Sequence, residues 1–239
     1  MKLNARLGRV EPIADGTWSA EFELDAPADH RPGQTIDVTL PEPKYRDDAG
    51  STRTFSVACA PGRPRLLIAT RVRGSAFKRS LVETPPGAPV VVDGFFGSFT
   101  LPQKPVHAFL LAGGIGVTPF RAMTEDVIGR ALEHRITLVH SNRTPQEAPF
   151  LAELTDWSVR HPAFRYVPTM TRAADAREPW NGERRRVDRV LLADLAPADR
   201  DEPLYFVAGP ERFVAGVAAE LRALGIDPDR VRTEEFPGY

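Results

Sequence analysis

Four short stretches carry residue types that can hold an anion or a planar ring. Arg53-Thr54-Phe55-Ser56 lies in a β-rich region, where alternation sets Arg53 and Phe55 on one face and Thr54 and Ser56 on the other. A guanidinium beside an aromatic ring can pair with a phosphate and stack on a planar group. Taken alone, the four residues fit a surface strand with one stray charge better. In Gly74-Ser75-Ala76-Phe77-Lys78, Ser75 can cap a short helix and leave the N–H groups of Ala76 and Phe77 facing an anion. A plain capped helix accounts for it equally well.

The third stretch is Gly113-Gly114-Ile115-Gly116-Val117-Thr118-Pro119, which follows the apolar run Val106 to Ala112. Thr118 is placed to cap the next helix, with Pro119 as its first helical residue. Strand, glycine turn and helix bring backbone N–H groups close to a phosphate. The full dinucleotide fingerprint is absent, because Pro119 stands where a third glycine would be. The fourth stretch, Ser141-Asn142-Arg143, closes the next apolar strand. An Arg there can hold a ribose 2′-phosphate or face water as a turn residue.

Positioning these stretches takes two kinds of architecture. Residues 1–102 read as all-β, with candidate strands Ala5–Pro12, Thr17–Leu24, Thr35–Leu40, Arg53–Ala58, Leu66–Arg71 and Pro89–Asp93. Asp15-Gly16, Arg31-Pro32-Gly33, Pro61-Gly62 and Pro86-Gly87 separate them, which suggests an antiparallel barrel or sandwich. One helix, about Ser75 to Val82, interrupts the strands, and Pro41–Gly50 reads as an exposed loop. Residues 103–239 alternate instead. Strands are expected at Val106–Ala112, Ile136–His140, Phe164–Pro168, Leu204–Ala208 and Val231–Glu235. Helices are expected near Pro119–Leu132, Pro149–Arg160, Val187–Leu195 and Glu211–Leu224. Five strands and four helices imply a five-stranded parallel, doubly wound sheet. In the order 3-2-1-4-5 the first and fourth strands are neighbours whose loops part, so Gly113–Gly116 and Gly209-Pro210 border one crevice.

Composition narrows the chemistry. The 239 residues are 42% hydrophobic and 26% charged, values of an ordinary globular protein. Lys+Arg 31 against Asp+Glu 32 leaves a net charge of -1, which argues against a general nucleic-acid or membrane surface. No apolar run reaches the ~20 residues of a membrane span. Met1-Lys2-Leu3-Asn4 leads into no apolar leader block, so the cytoplasm is expected. A single cysteine, Cys59, excludes an internal disulfide and any multi-thiolate cluster, and reads as a small buried residue. His30, His107, His134, His140 and His161 lack metal-ligand spacing, so no metal is expected.

Together the motifs resemble the ferredoxin–NADP reductase superfamily, a flavin-binding β-barrel followed by a pyridine-nucleotide domain. The resemblance spans nearly the whole chain, with six motifs in order. They are Arg53–Ser56, Gly74–Phe77, Gly94-Phe95-Phe96-Gly97, Gly113–Pro119, Val207-Ala208-Gly209-Pro210 and Glu235-Phe236-Pro237-Gly238-Tyr239. It implies that Arg53 pairs with flavin phosphates, that Phe55 packs on the flavin beside Thr54, and that Ser56 lies near the flavin N5. Gly74, Ser75, Ala76 and Phe77 would serve the flavin pyrophosphate. Gly113, Gly114, Gly116, Val117, Thr118, Pro119, Ser141, Arg143, Gly209 and Pro210 would hold the nicotinamide nucleotide. Ser56, Glu235 and Tyr239 would stand at the reacting end, with Phe236 and Tyr239 against the flavin.

The implied cofactor is FAD, with FMN as the alternative, and the coenzyme is NAD(P)H, with NADPH favoured by Arg143. The implied reaction is hydride transfer to flavin N5, then release of single electrons to a separate ferredoxin, flavodoxin or oxygenase component. Two further readings are an NAD(P)H:free flavin or ferric reductase and a non-enzymatic nucleotide-binding regulatory module. Phe55 replaces the usual Tyr of the first motif, and Ala208 stands where plant-type members carry a Cys.

Overall fold

The computed structural model describes residues 2–195 and 203–236, so the expectation for Tyr239 lies outside the described residues. Strands β1 (Lys2–Ala14), β2 (Thr17–Leu24), β3 (Thr35–Thr39), β4 (Thr52–Ser56), β5 (Arg65–Arg71) and β6 (Pro89–Phe96) form one antiparallel sheet. Its order is β4-β3-β6-β1-β2-β5. The two edges curl together, and just past β4 the Ala58 N–H donates to the Leu67 carbonyl of β5 at 2.7 Å. Alternation turns one apolar side of every strand inward. Leu7, Phe22, Ile36, Ile68 and Val92 are fully buried and share one core with Phe55 and Phe77. β1 runs past its expected end because pairing with β2 resumes after two register shifts, the local bends that let a strand wrap a barrel. Helix α1 (Ala76–Glu83) starts behind Ser75 as expected, and its Phe77 and Leu81 are buried in the same core.

The second sheet comprises β7 (His107–Gly113), β8 (Arg135–Asn142), β9 (Phe164–Met170), β10 (Leu204–Gly209) and β11 (Val231–Glu235). All pairs are parallel, in the order β11-β10-β7-β8-β9. This is the expected 3-2-1-4-5 arrangement. β7 is apolar along its length because both of its faces are covered. Ala108, Leu110 and Ala112 pack with α2 (Thr118–Gly129) and α3 (Leu151–Arg160), whereas Phe109 and Leu111 pack with α4 (Arg189–Leu195) and α5 (Glu211–Ala223).

One local expectation is corrected. Thr118 does not cap α2. Residues Gly114–Val117 form a 3-10 turn that winds straight into the helix, so Thr118 is already helical at φ -53. Its hydroxyl donates to the Ile115 carbonyl at 2.7 Å instead of accepting an N–H. Among the described residues no helix is long and apolar enough to cross a membrane, and no cluster of three metal-ligating side chains occurs.

Candidate functional site

The two glycine-bearing strand ends meet. β7 and β10 pair through Ala112 and Ala208, so the turns that follow lie side by side. A Cβ on Gly116 would sit 2.2 Å from the Ala208 carbonyl oxygen, and one on Gly209 would sit 2.9 Å from that of Gly113. Backbone here rests on backbone, and only glycine allows it. Phe236 N–H donates to the Gly209 carbonyl at 2.9 Å, which brings the segment after β11 to the same place. Ser141 pairs with Gly113 at the end of β8. Arg143, two residues on, is exposed, and its carbonyl accepts from Arg172 N–H at 2.7 Å. Arg172, unnoticed in the sequence, thus adds a second cation at this edge.

On the barrel side an anion cradle is built from β4 and α1. The Asp47 carboxylate accepts from Ala76 N–H at 3.0 Å and from the Arg53 guanidinium at 3.1 Å. Arg53 also donates to the carbonyls of Ala49, Gly50 and Thr52. The Ala76 N–H, aided by Arg53, holds Asp47 below the usual carboxylate range. Lys78 is pushed down to about 8, first by burial and then by Arg53 and Arg73. Phosphate oxygens would use the same donors that the Asp47 carboxylate engages, so the residues present fit a flavin phosphate. Phe55 borders this region, but its ring is 5% exposed and lies in the barrel core, 5.8 Å from Phe77. Phe77 itself is buried, with Arg53 over its ring at 5.5 Å.

A cavity of about 710 Å³ joins the cradle to the switch point, reached by Arg53, Ser56 and Lys78 from one side and Ile115, Thr118 and Phe236 from the other. That is the size of a cofactor site. Thr54, Ser75 and Glu235 also line it, whereas Gly74, Ala76, Phe77, Gly113, Gly114, Gly116, Val117, Pro119, Gly209 and Pro210 are not among its lining residues. Glu235 is exposed. Its neighbour Glu234 points into the cavity wall with a buried Oε2 that has no hydrogen-bond partner, and burial pushes its pKa up to about 7. The two were distinguishable by period, since Glu234 aligns with Ala208, a residue on the α2 side of the sheet. A larger groove of about 1050 Å³, between Pro12, Leu151 and Trp180, touches neither glycine turn nor cradle.

A buried cation fixes the two sheets to each other. Arg121 of α2 is 6% exposed and donates to the Ala58 carbonyl of the barrel at 2.5 Å. It also makes a two-bonded contact with Glu153 of α3, at 2.6 and 2.7 Å. Glu125 accepts from Arg121 and from Ala60 N–H, adding a second tie.

A curled antiparallel sheet bearing an anion cradle, set against a parallel sheet with a glycine switch point, defines a two-part nucleotide-handling fold. Residues 110–219 match the sequence model of the oxidoreductase NAD-binding domain family. The chain is 30% identical over 242 residues to ferredoxin–NADP reductase B of Sorangium cellulosum (strain So ce56), covering 97% of this chain and 96% of that one. It is 28% identical to the glycine betaine monooxygenase reductase subunit of Chromohalobacter salexigens, covering 95% of this chain but only 63% of the relative's length. The structure of a ferredoxin NADP+ reductase from Neisseria gonorrhoeae with bound FAD and NADP superposes with a TM-score of 0.79 at 19% identity, over 98% of both chains. The chain belongs to the ferredoxin–NADP reductase superfamily.

Proposed function

We propose that this chain is an NAD(P)H-dependent flavoprotein reductase that passes electrons through FAD to a separate electron-transfer protein or oxygenase component, in the cytoplasm. Residues 1–102 form the flavin unit and residues 103–239 the nicotinamide-nucleotide unit. The observation that carries this reading is one cavity lined both by Arg53, Ser56 and Lys78 on the barrel side and by Ile115, Thr118 and Phe236, next to the glycine turns, on the other. Two ligands entering from opposite sides would meet there, and alignment is most of what the protein must supply. A flavin held there would supply the redox chemistry, hydride uptake from a nicotinamide and release of electrons one at a time.

The chain's own residues bind, orient and manage protons. Arg53 and the Ala76 N–H hold phosphate, and Ser56 offers a hydroxyl in the middle of the cavity. Ile115 and Thr118 wall the nicotinamide side. Glu234, with its pKa of about 7, holds or yields a proton near neutral pH in a wall that water reaches poorly. Arg121 keeps the two sheets in register so that the rings face each other.

A second reading, in which flavin is a loosely held substrate, is favoured by one observation: the Asp47 carboxylate contests the phosphate cradle. An absorption spectrum of the purified protein, before and after anaerobic NADPH or NADH, tests both. A bound flavin spectrum that bleaches supports the resident-cofactor reading. Colourless protein that bleaches only added flavin supports the second. Nucleotide binding without any bleaching would leave a regulatory module.

A further inference from the structure

His140 is an unusual residue for its place. It lies in β8, between buried Val139 and half-buried Ser141, with no exposed surface. Interior positions of a parallel strand are ordinarily apolar. A polar ring there costs free energy unless its nitrogens are satisfied. Both are. Nε2 is 2.8 Å from the Gly114 carbonyl oxygen, and Nδ1 is 2.9 Å from the Tyr166 hydroxyl of β9. A carbonyl only accepts, so the single proton of the neutral ring sits on Nε2, and the Tyr166 hydroxyl donates to Nδ1. Burial, which pushes the His140 pKa down to about 4, keeps the ring neutral and this arrangement intact.

We infer that His140, oriented by Tyr166, positions the Gly114–Ile115 peptide of the glycine turn so that the turn receives the nicotinamide coenzyme. Gly114 is left-handed at φ +56, and a Cβ there would meet nothing within 4 Å. Side-chain packing therefore does not set this peptide; the 3-10 turn that begins at Gly114 and the imidazole beneath it do. In a planar trans peptide the C=O and the next N–H point opposite ways. With the Gly114 carbonyl drawn down to His140, the Ile115 N–H is turned from the sheet, and Ile115 lines the cavity. Without the imidazole the peptide loses its anchor to the sheet and is held by the 3-10 turn alone, at a left-handed glycine whose backbone tolerates rotation. His140 is thus a positioning residue. It touches neither ligand and acts through the backbone it holds.

This inference rests on the reductase reading, and the experiment separates the two. Dissociation constants for NADP+ and NAD+ are measured by calorimetry on wild type, His140→Phe, His140→Gln and Tyr166→Phe, together with melting temperature and bound flavin. A wild type that binds neither coenzyme overturns the reading itself. Given wild-type binding, His140→Phe should weaken it roughly tenfold, the factor one lost hydrogen bond supports. Flavin content should be unchanged. His140→Gln, whose amide can donate to the same carbonyl, should recover most of the affinity. Tyr166→Phe, which keeps the ring and removes only the hydroxyl, should weaken binding by roughly two- to threefold. In turnover the loss should appear in KM and leave kcat nearly unchanged. A lower melting temperature with wild-type coenzyme affinity in both His140→Phe and Tyr166→Phe would reduce the pair to packing and overturn the inference. If His140→Phe does not fold, the Tyr166→Phe titration alone decides, and an unchanged affinity there overturns it.

Discussion

Asp47 and Arg53 form an ion pair, at 3.1 Å, on the donors proposed for a flavin phosphate. The second carboxylate oxygen of Asp47 takes the Ala76 N–H at the start of α1. A phosphate bound as proposed would have to displace or share a carboxylate that is already well bonded. Substitution of the two partners should move flavin affinity in opposite directions. Asp47→Ala should tighten FAD by roughly fivefold and leave riboflavin, which has no phosphate, unchanged. Arg53→Ala should lose most of the 450 nm-region flavin band on desalting, since charge-assisted hydrogen bonds are worth ~1.5–3 kcal/mol. Equal gains for riboflavin and FAD on Asp47→Ala would remove the carboxylate from any contest with phosphate.

Coenzyme choice is expected to sit at the ends of β8 and β9. Arg143 and Arg172 lie there side by side, and the segment Ser141–Gln146 that ends and follows β8 has no acidic residue to engage a ribose diol. NADPH should be preferred. In Arg143→Ala, kcat/KM for NADPH should fall about tenfold while that for NADH holds, the signature of lost 2′-phosphate binding. Parallel losses for both coenzymes would show that Arg143 does not read the phosphate.

Glu234 gives a pH dependence with a definite sign. Its pKa is raised from 4.5 in the unfolded chain to about 7 by burial. The folded state then binds the proton more tightly than the unfolded state. Stability from this group is full below about 4.5, declines as pH rises toward 7, and stays level above that. Glu234→Gln removes the titration. Its melting temperature relative to wild type should climb between pH 4.5 and 7 and then plateau. A difference that is flat with pH would mean that Glu234 ionises normally.

Much of this was legible in the sequence because it depends on local pattern. β7 announced itself as a continuous apolar run, since helices cover both of its faces. The glycines of 113–116 and 209 predicted a meeting point, and the Gly116–Ala208 contact is that meeting. Ser75 capped its helix as its residue type suggested. Other features arise from contacts that no local window contains. Asp47 reaches Ala76 across 29 positions, out of a segment that reads only as a polar loop. Thr118 looked like a cap because Ser, Thr and proline at a helix start usually mean one, but a 3-10 turn had already begun the winding. The choice of Glu235 over Glu234 followed a motif rather than strand parity, and parity decides which carboxyl is buried.

Arg121 has a consequence for how the molecule comes apart. Its guanidinium belongs to the parallel-sheet half by sequence, yet one of its bonds ends on the barrel carbonyl of Ala58. Cutting the chain between the two sheets would strand that cation and Glu125 at a raw face, losing the charge-assisted bonds to the Ala58 carbonyl and the Ala60 N–H, each worth ~1.5–3 kcal/mol. Neither half should then behave as an independent folding unit, and heat should melt the pair in one cooperative step. Two sheets that read as separable modules are in this respect a single thermodynamic object.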